Sequence, residues 1–179
     1  NRNPECPDAF YTELDIVNSD HISKVFSSFR PTHVIHTAAI TNVDYCETHP
    51  EECELVNCKT VEFLLNESKV HNAHFQLLST DFVFDGTNTG LYSESDATSP
   101  INGYGVSKLQ GEHNLLEVLP ESSYIVRTSW LYGTSGKNFV KSILRKALAQ
   151  ERIQVVQDQV GSPTNSEDLA RGILGIVEK

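Results

Sequence analysis

A tyrosine and a lysine lie four residues apart, at Tyr104 and Lys108, within the stretch NGYGVSK at 102–108. The sequence predicts that a helix begins near Tyr104, and residues four apart share one face of a helix. An ammonium group beside a phenol favours the phenolate, which lowers the tyrosine pKa from its usual value of about 10. A tyrosine tuned in this way can donate a proton to a carbonyl oxygen or accept one from an alcohol.

A hydroxyl at the end of a neighbouring strand would complete such a site, and Ser79 and Thr80 both offer one. This set of groups suits hydride transfer to or from a carbonyl, for which a cofactor must supply the hydride. The pair also has a simpler interpretation, in which Lys108 is a surface cation paired with Glu112 and Tyr104 is a half-buried aromatic residue. Spacing alone favours the simpler interpretation.

The elements that must position these residues alternate along the chain. Helices are predicted over 18–31, 49–73, 104–119, 137–150 and 166–179, and strands over 32–39, 74–80, 123–130 and 153–158. Asn18 or Ser19 is suited to cap the first helix. Alternation of this kind predicts a Rossmann-like, doubly wound parallel sheet between two layers of helices, in a single domain over 1–179. Ligands of such sheets bind beyond the carboxyl ends of the strands, where this chain places polar and aromatic residues at 37–41, 79–81 and 128–133.

Composition excludes several classes of protein. The 179 residues are enough for one globular domain with a real core, with 39% apolar residues. The net charge of −10 and the lack of a basic stripe argue against nucleic-acid binding. Nothing approaches the 18 consecutive apolar residues of a membrane span, and the first ten residues lack the apolar run of a signal peptide. We therefore expect a cytoplasmic protein without a membrane segment.

The cysteines raise a separate hypothesis. Cys46, His49, Cys53 and Cys58 follow the pattern C-x2-H-x3-C-x4-C, which could form a zinc module. Zinc sites usually begin with two cysteines separated by two to four residues, and Cys53 and Cys58 lie five apart in a predicted helix, where they point in different directions. Free, partly buried thiols are the interpretation we favour, with zinc as the weaker hypothesis.

Five stretches of the chain resemble, in order and spacing, the dTDP-4-dehydrorhamnose reductase family of the extended short-chain dehydrogenase/reductases. They are RPTHVIHTAAITNVDYCE at 30–47, STDFVFDG at 79–86, the segment 92–112 that ends in YGVSKLQGE, RTSWLYG at 127–133 and VVQDQVGSPT at 155–164. The resemblance implies NADPH- or NADH-dependent reduction of the C4 ketone of dTDP-4-dehydrorhamnose to dTDP-L-rhamnose.

The resemblance also implies roles for individual residues. Tyr104 would protonate the C4 oxygen, Lys108 would tune Tyr104 and bind the nicotinamide ribose, and Thr80 would bind the carbonyl or the tyrosine hydroxyl. The remaining implied residues would line the cofactor or the sugar: Ala39, Ile40 and Thr41 through backbone groups, Asp15 and Ile16 near the adenosine, Leu78 near the nicotinamide, and Asp81 and Trp130 at the sugar. Asp81 is equally suited to cap a turn, and Trp130 to a place in the core.

Relatives with other functions leave alternatives. Nucleotide-sugar 4,6-dehydratases usually carry an acidic residue at the position of Phe82 and tend to have Asn at that of Trp130, so both positions favour the reductase. Another nucleotide-sugar epimerase or dehydratase stays an alternative. A non-catalytic binding subunit on the same fold, like the β subunit of methionine adenosyltransferase, is the competing prediction. The resemblance also allows a homodimer.

The family begins with a strand, a glycine-rich turn that approaches the cofactor phosphates and a helix. This chain shows no counterpart, since its first glycine is Gly86. We expect a piece of a reductase that lacks this first unit, in which 153–179 begins the substrate-binding part.

Overall fold

The computed structural model describes residues 9–136, 138–150 and 152–178 as a chain of alternating helices and strands. The helices are α1 (Ser19–Phe29), α2 (Val43–Thr48), α3 (Pro50–Glu54), α4 (Thr60–His71), α5 (Gly103–Val118), α6 (Phe139–Leu148) and α7 (Ser166–Val177). A π-helical turn (Leu55–Lys59) joins α3 to α4, and a 3₁₀ turn (Asp81–Val83) follows the second strand. The strands are β1 (His33–His36), β2 (His74–Thr80), β3 (Ser123–Thr128), β4 (Leu131–Tyr132) and β5 (Thr164–Asn165).

The strands pair only in parallel. β1, β2 and β3 form one sheet with β2 at its centre, and β4 pairs with β5 in a second, shorter sheet. The register places His36 of β1 beside Leu77 and Thr128 of β3 beside Thr80, so the carboxyl ends of the three strands lie at one edge. The α/β class with parallel strands and helical crossovers is therefore confirmed.

Asparagine side chains begin most of the longer helices. An asparagine oxygen at the N-cap accepts hydrogen bonds from backbone N–H groups of the first turn, which would otherwise lack partners. The asparagines that cap in this way are Asn18 for α1, Asn42 for α2, Asn102 for α5, Asn138 for α6 and Asn165 for α7. Asn18 confirms the first of the two caps considered for α1.

The main hydrophobic core lies between the central strand and three helices. β2 contributes Phe75 and Leu77, which are fully buried, and α5 contributes Leu115. The other buried members come from α1 and α4: Ile22, Phe26, Val61, Leu64 and Leu65. Burial of these side chains holds α5 against β2 and so sets the positions of Tyr104 and Lys108 on that helix.

Two predicted elements differ in the structure. The predicted strand 153–158 is wrong, because these residues pair with no strand and Val155 and Val156 are exposed; the short strand Thr164–Asn165 lies further along the chain. The single helix over 49–73 is instead α3, the π-helical turn and α4, and the unpredicted α2 precedes them. An apolar run alone does not show whether a partner strand is present.

The favoured interpretation of free thiols is wrong for two cysteines. Cys46 at the end of α2 and Cys53 in α3 form a disulfide, with their Cα atoms 5.6 Å apart. The helical path is interrupted at His49, which ends α2 and precedes α3, so the spacing of a continuous helix does not apply between these two cysteines. Cys58 is free and buried, and Cys6 lies outside the described residues. Since Cys46 and Cys53 bond to each other, they are not ligands of the hypothetical zinc module, and no group of three metal-binding side chains occurs in the ranges described.

None of the helices in the described ranges is both long and apolar enough to cross a membrane.

The first turn of α5 requires a glycine, which gives a test of its packing. A Cβ on Gly105 would overlap the carbonyl oxygen of Phe82 and would lie 3.0 Å from the Pro100 side chain. We expect Gly105→Ala to lower the free energy of unfolding by about 1–3 kcal/mol, as other overpacked sites do. Gly172→Ala in α7 is the matched control, because a Cβ there meets nothing within 4 Å. Urea unfolding measures the free energy of unfolding of both variants. Equal values would contradict the close packing of α5 at Gly105.

Candidate active site

Three predicted catalytic residues meet at the carboxyl edge of the main sheet. Thr80 ends β2, Tyr104 lies in the first turn of α5, and Lys108 follows one turn later. All three are buried, with exposed fractions of 5% for Thr80, 8% for Tyr104 and 3% for Lys108. The interpretation of Lys108 as a surface cation is therefore wrong, and the residue must have a buried partner.

That partner is the end of β2. The Lys108 ammonium donates a hydrogen bond to the carbonyl oxygen of Leu78, with Nζ and O separated by 2.7 Å. Burial lowers the pKa of Lys108 to about 8, because the charged form loses its hydration, while the negative charge of Glu112 acts in the opposite direction. At neutral pH Lys108 therefore still carries its proton.

Tyr104 has a different pKa from the one the sequence predicts. Burial raises its pKa above 10, the charge of Asp81 acts in the same direction, and a hydrogen bond with Thr80 opposes them. The expected lowering by Lys108 is wrong in this structure, because the ammonium is directed at Leu78 rather than at the phenol. The ring of Tyr104 packs edge-on against Phe82, with centroids 5.8 Å apart, and its hydroxyl group is hydrogen-bonded to Thr80.

Thr80 also organises the turn that follows β2. Its hydroxyl donates to the Asp81 carboxylate at 3.2 Å and accepts a hydrogen bond from the Phe82 N–H at 3.2 Å. The capping function proposed for Asp81 thus belongs to Thr80, and the half-buried Asp81 carboxyl has a raised pKa because of its desolvation. Both side chains lie beside Tyr104, where a bound carbonyl compound would meet them.

Asn57 is a site residue that the sequence analysis missed. It lies in the π-helical turn, is 1% exposed, and binds the backbone of Ile40 twice: its amide oxygen accepts from the Ile40 N–H at 2.9 Å and its amide nitrogen donates to the Ile40 carbonyl at 3.0 Å. The same nitrogen donates to Ser107 at 3.0 Å, and the Ser107 hydroxyl donates to the Tyr104 carbonyl at 2.8 Å. One buried amide therefore connects the loop after β1 to the first turn of α5.

The other predicted site residues occupy more varied surroundings. Leu78 is half-buried in β2 and holds Lys108, and Ala39 and Ile40 are half-buried in the loop after β1, where Thr41 is exposed. Asp15 is exposed before α1 and accepts a hydrogen bond from the Val17 N–H, and the neighbouring Ile16 is half-buried. Within the described ranges, no hydrogen bond or ion pair joins these two residues to Thr80, Tyr104 or Lys108.

Trp130 is not a core residue. It follows β3 with a left-handed backbone (φ 45°), it is 46% exposed, and its ring packs over Gly161, where a Cβ would come within 2.7 Å of it. A half-exposed indole beside the carboxyl edge of the sheet leaves a flat apolar face for a ligand. The structure thus favours a surface position near the strand ends over the core position.

Unsatisfied polar atoms mark the same edge. Within the described ranges, His36 Nε2, Ser79 Oγ and Thr128 Oγ1 are buried without a hydrogen-bond partner, and they lie at or beside the carboxyl ends of β1, β2 and β3. Buried polar groups are normally paired, so these atoms are suited to a polar ligand or bound water. Burial, together with the nearby charge of Lys108, lowers the pKa of His36 to about 4, which keeps this imidazole neutral at pH 7.

The double contact between Asn57 and Ile40 gives a prediction. Asn57→Ala removes three hydrogen bonds and leaves the Ile40 N–H and carbonyl without partners, so we expect the free energy of unfolding to fall by about 2–4 kcal/mol. Asn66→Ala, on the exposed face of α4, is the matched control and should change it by less than about 0.5 kcal/mol. Urea unfolding measures the free energy of unfolding of both variants. An unchanged value in Asn57→Ala would show that the contact with Ile40 does not stabilise the loop.

Comparison with known proteins identifies the family. A family model described as the RmlD substrate binding domain matches residues 3–179. The chain is 42% identical over 169 residues to a dTDP-4-dehydrorhamnose reductase of Aggregatibacter actinomycetemcomitans, covering 94% of this chain and 57% of the relative. It is 39% identical over 156 residues to the enzyme of that name from Escherichia coli, covering 87% of this chain and 52% of the relative.

A solved structure agrees with the sequence relatives. The dTDP-4-dehydrorhamnose reductase of Bacillus anthracis in complex with NADP superposes with a TM-score of 0.91 at 38% identity, over 99% of this chain and 64% of that one. The predicted Rossmann-like class and the family resemblance are both confirmed. The chain spans a little over half the length of the curated relatives it matches. Its matched residues, from 3 to 179, place it in the family of RmlD substrate-binding domains, to which the chain belongs.

Proposed function

We propose that the protein carrying this chain is an oxidoreductase that uses NADPH or NADH to reduce the C4 ketone of dTDP-4-dehydrorhamnose to dTDP-L-rhamnose. The observation that carries the proposal is the buried group of Thr80, Tyr104 and Lys108 at the carboxyl edge of the sheet. Relatives about 40% identical are named for this reaction, and the one bound to NADP supports NADPH as the cofactor.

The residues present fit the nicotinamide end of such a cofactor. Lys108 has three N–H donors and uses one of them on Leu78, so two remain for ribose hydroxyls. The loop after β1 offers the backbone of the small residue Ala39, and Asn57 holds the neighbouring Ile40 in place. Asp15 and Ile16 stay a prediction for the adenosine end. When bound, the cofactor supplies the hydride.

Tyr104 acts as the general acid in this proposal. Reduction needs a phenol that keeps its proton until negative charge develops on the carbonyl oxygen, and a raised pKa provides that state at neutral pH. Thr80 donates to or orients the same oxygen, and Lys108 binds the nicotinamide ribose through the N–H donors that Leu78 leaves free. Asp81 and Trp130 are proposed to contact the sugar, the first through its carboxyl and the second through its exposed ring.

Further parts of the proposal concern the whole protein. NAD(P)H and nucleotide-activated sugars are cytoplasmic metabolites, so we place the protein in the cytoplasm. We keep two predictions that need their own measurements: that 153–179 begins the substrate-binding part, and that two copies form a homodimer, which light scattering tests directly.

Tyr104→Phe tests the proposed reaction, because it removes the acidic hydroxyl and keeps the ring. We expect kcat to fall by about 10²- to 10⁴-fold, the usual contribution of a general acid. Tyr124→Phe, at an exposed position of β3, should retain full activity. The assay follows NADPH absorbance with dTDP-4-dehydrorhamnose as substrate, and NMR identifies the product.

Each outcome of that assay has a definite meaning. If the unaltered protein turns over the substrate and Tyr104→Phe does so at a similar rate, Tyr104 is not the general acid. Lack of turnover by the unaltered protein, with cofactor binding intact, would refute the reductase and favour the non-catalytic binding subunit.

The pKa of Lys108 predicts the pH dependence. Its ammonium form is present below about pH 8 and is lost as the pH rises through that value. The kcat/KM for NADPH should therefore be high near neutral pH and fall tenfold per unit at pH well above 8, since the deprotonated amine loses the charge and the third N–H donor with which Lys108 holds the ribose. The pKa of Tyr104 is raised above its usual value, so this tyrosine causes no decline of kcat/KM near pH 8. A flat profile up to pH 10 would contradict the role of Lys108.

A further inference from the structure

A buried ion pair lies one helical turn beyond Lys108 and takes no part in the proposed mechanism. The Glu112 carboxylate accepts two hydrogen bonds from the Arg127 guanidinium, from Nε at 3.0 Å and from Nη2 at 2.6 Å. Glu112 is 1% exposed, and Arg127 is half-buried. A carboxylate in such a place is costly unless a partner neutralises it, so its position requires an explanation.

The pair is placed next to Lys108. Glu112 follows Lys108 by one turn of α5, so the two side chains share a face of the helix. Arg127 lies opposite Ser79 in the register of β2 and β3, one residue before Thr80. The Glu112 carboxylate is therefore within the influence of two cations, Lys108 on its own helix and Arg127 on the sheet below.

Arg127 makes a second contact that reaches the loop after Thr80. Its guanidinium lies over the ring of Phe84, 5.1 Å from the centroid, and that ring stacks on Tyr92 with centroids 4.2 Å apart. The Tyr92 hydroxyl donates to Asp85 at 3.1 Å. Arg127, on β3, thus joins two elements that carry proposed catalytic groups: α5 with Tyr104 and Lys108, and the segment that begins at Thr80.

We propose that Glu112 and Arg127 are a pair of positioning residues, in which Glu112 keeps Lys108 in its ammonium form and Arg127 fixes both Glu112 and the loop after Thr80. The inference rests on the proposed function for its catalytic meaning. The electrostatic part stands on the geometry of α5 and β3, so it can be tested without substrate.

The charged groups around Lys108 support this assignment. From β1 it faces His36, which is neutral at pH 7; Asp81, after β2, acts on Tyr104; and Arg127 on β3 is a further cation. The charged side chains on the helices that pack against α5 from the other side, such as Glu47, Glu54 and Lys59, are exposed to solvent. Glu112 is thus the buried anion that opposes the desolvation of Lys108.

The test is an NMR titration of the Lys108 side chain in the protein as it exists. The ¹³Cε shift of Lys108, assigned by its loss in Lys108→Arg, is followed against pH in the unaltered protein, Glu112→Gln and Arg127→Gln. Glu112→Gln keeps the shape of the side chain and removes its charge, so the midpoint should fall by about one pH unit or more. Arg127→Gln removes a cation, so the Glu112 carboxylate interacts with Lys108 alone. The titration midpoint of Lys108 should therefore rise.

Opposite shifts separate this role from a merely structural one. Loss of packing alone would lower the stability of both variants without moving the Lys108 midpoint in opposite directions. Arg127→Lys is the matched control, because it keeps the charge and loses the paired hydrogen bonds and the planar contact with Phe84. It should leave the midpoint in place and lower kcat, and it also serves if Glu112→Gln does not fold.

The outcomes distinguish this inference from the proposed function. An unchanged midpoint in Glu112→Gln, or shifts in the same direction in both glutamine variants, would overturn the positioning pair. In an active protein, the basic limb of kcat/KM should move to lower pH in Glu112→Gln by the same amount as the titration midpoint. Opposite shifts in a protein without reductase activity would refute the proposed function and the catalytic meaning of the pair, while the electrostatic pairing would stand.

Discussion

The structure of the site depends on one interaction, the hydrogen bond between the buried Lys108 ammonium and the Leu78 carbonyl at the end of β2. A side chain of this length reaches the strand only if α5 packs closely on the sheet. Close packing explains two glycines of α5: a Cβ on Gly105 would overlap the backbone of Phe82, and one on Gly111 would lie 2.9 Å from the Asn57 carbonyl. The hydrophobic core holds α5 against β2, the small residues let the helix approach the neighbouring turns, and the Lys108 hydrogen bond requires that approach.

Much of this arrangement follows from the sequence. The four-residue spacing of Tyr104 and Lys108 places them on one helical face, and the polar residues after 74–80 place Thr80 at a strand end, because both conclusions need only local periodicity. Spacing does not show which way a long side chain turns, so the burial of Lys108 and the raised pKa of Tyr104 were not predictable from it. Partial charges and desolvation depend on the whole fold.

The features that sequence reasoning missed are contacts between distant parts of the chain. Asn57 meets Ile40 across 17 residues and Ser107 across 50, and no local signal distinguishes it from Asn66 and Asn72 in the same predicted helix. The Cys46–Cys53 disulfide depends on the interruption of the helical path at His49, which the predicted helix over 49–73 did not include. The apolar residues at 153–158 indicated a strand, but a strand also needs a neighbour with free hydrogen-bonding groups.

Burial shifts the pKa values of Tyr104 and Lys108, the two residues proposed to act in catalysis, in opposite directions, and the charges around them reflect this asymmetry. Loss of solvent keeps the proton on the neutral phenol of Tyr104, which is the state an acid needs, and the nearby Asp81 acts in the same direction. The same loss of solvent lowers the pKa of the Lys108 ammonium, so its charged form requires compensation. A buried carboxylate one helical turn away supplies it, and that carboxylate in turn needs a cation of its own, since it would otherwise be too costly to bury. The buried Lys108 thus needs the Glu112 carboxylate nearby, and that carboxylate needs the Arg127 guanidinium as its own partner.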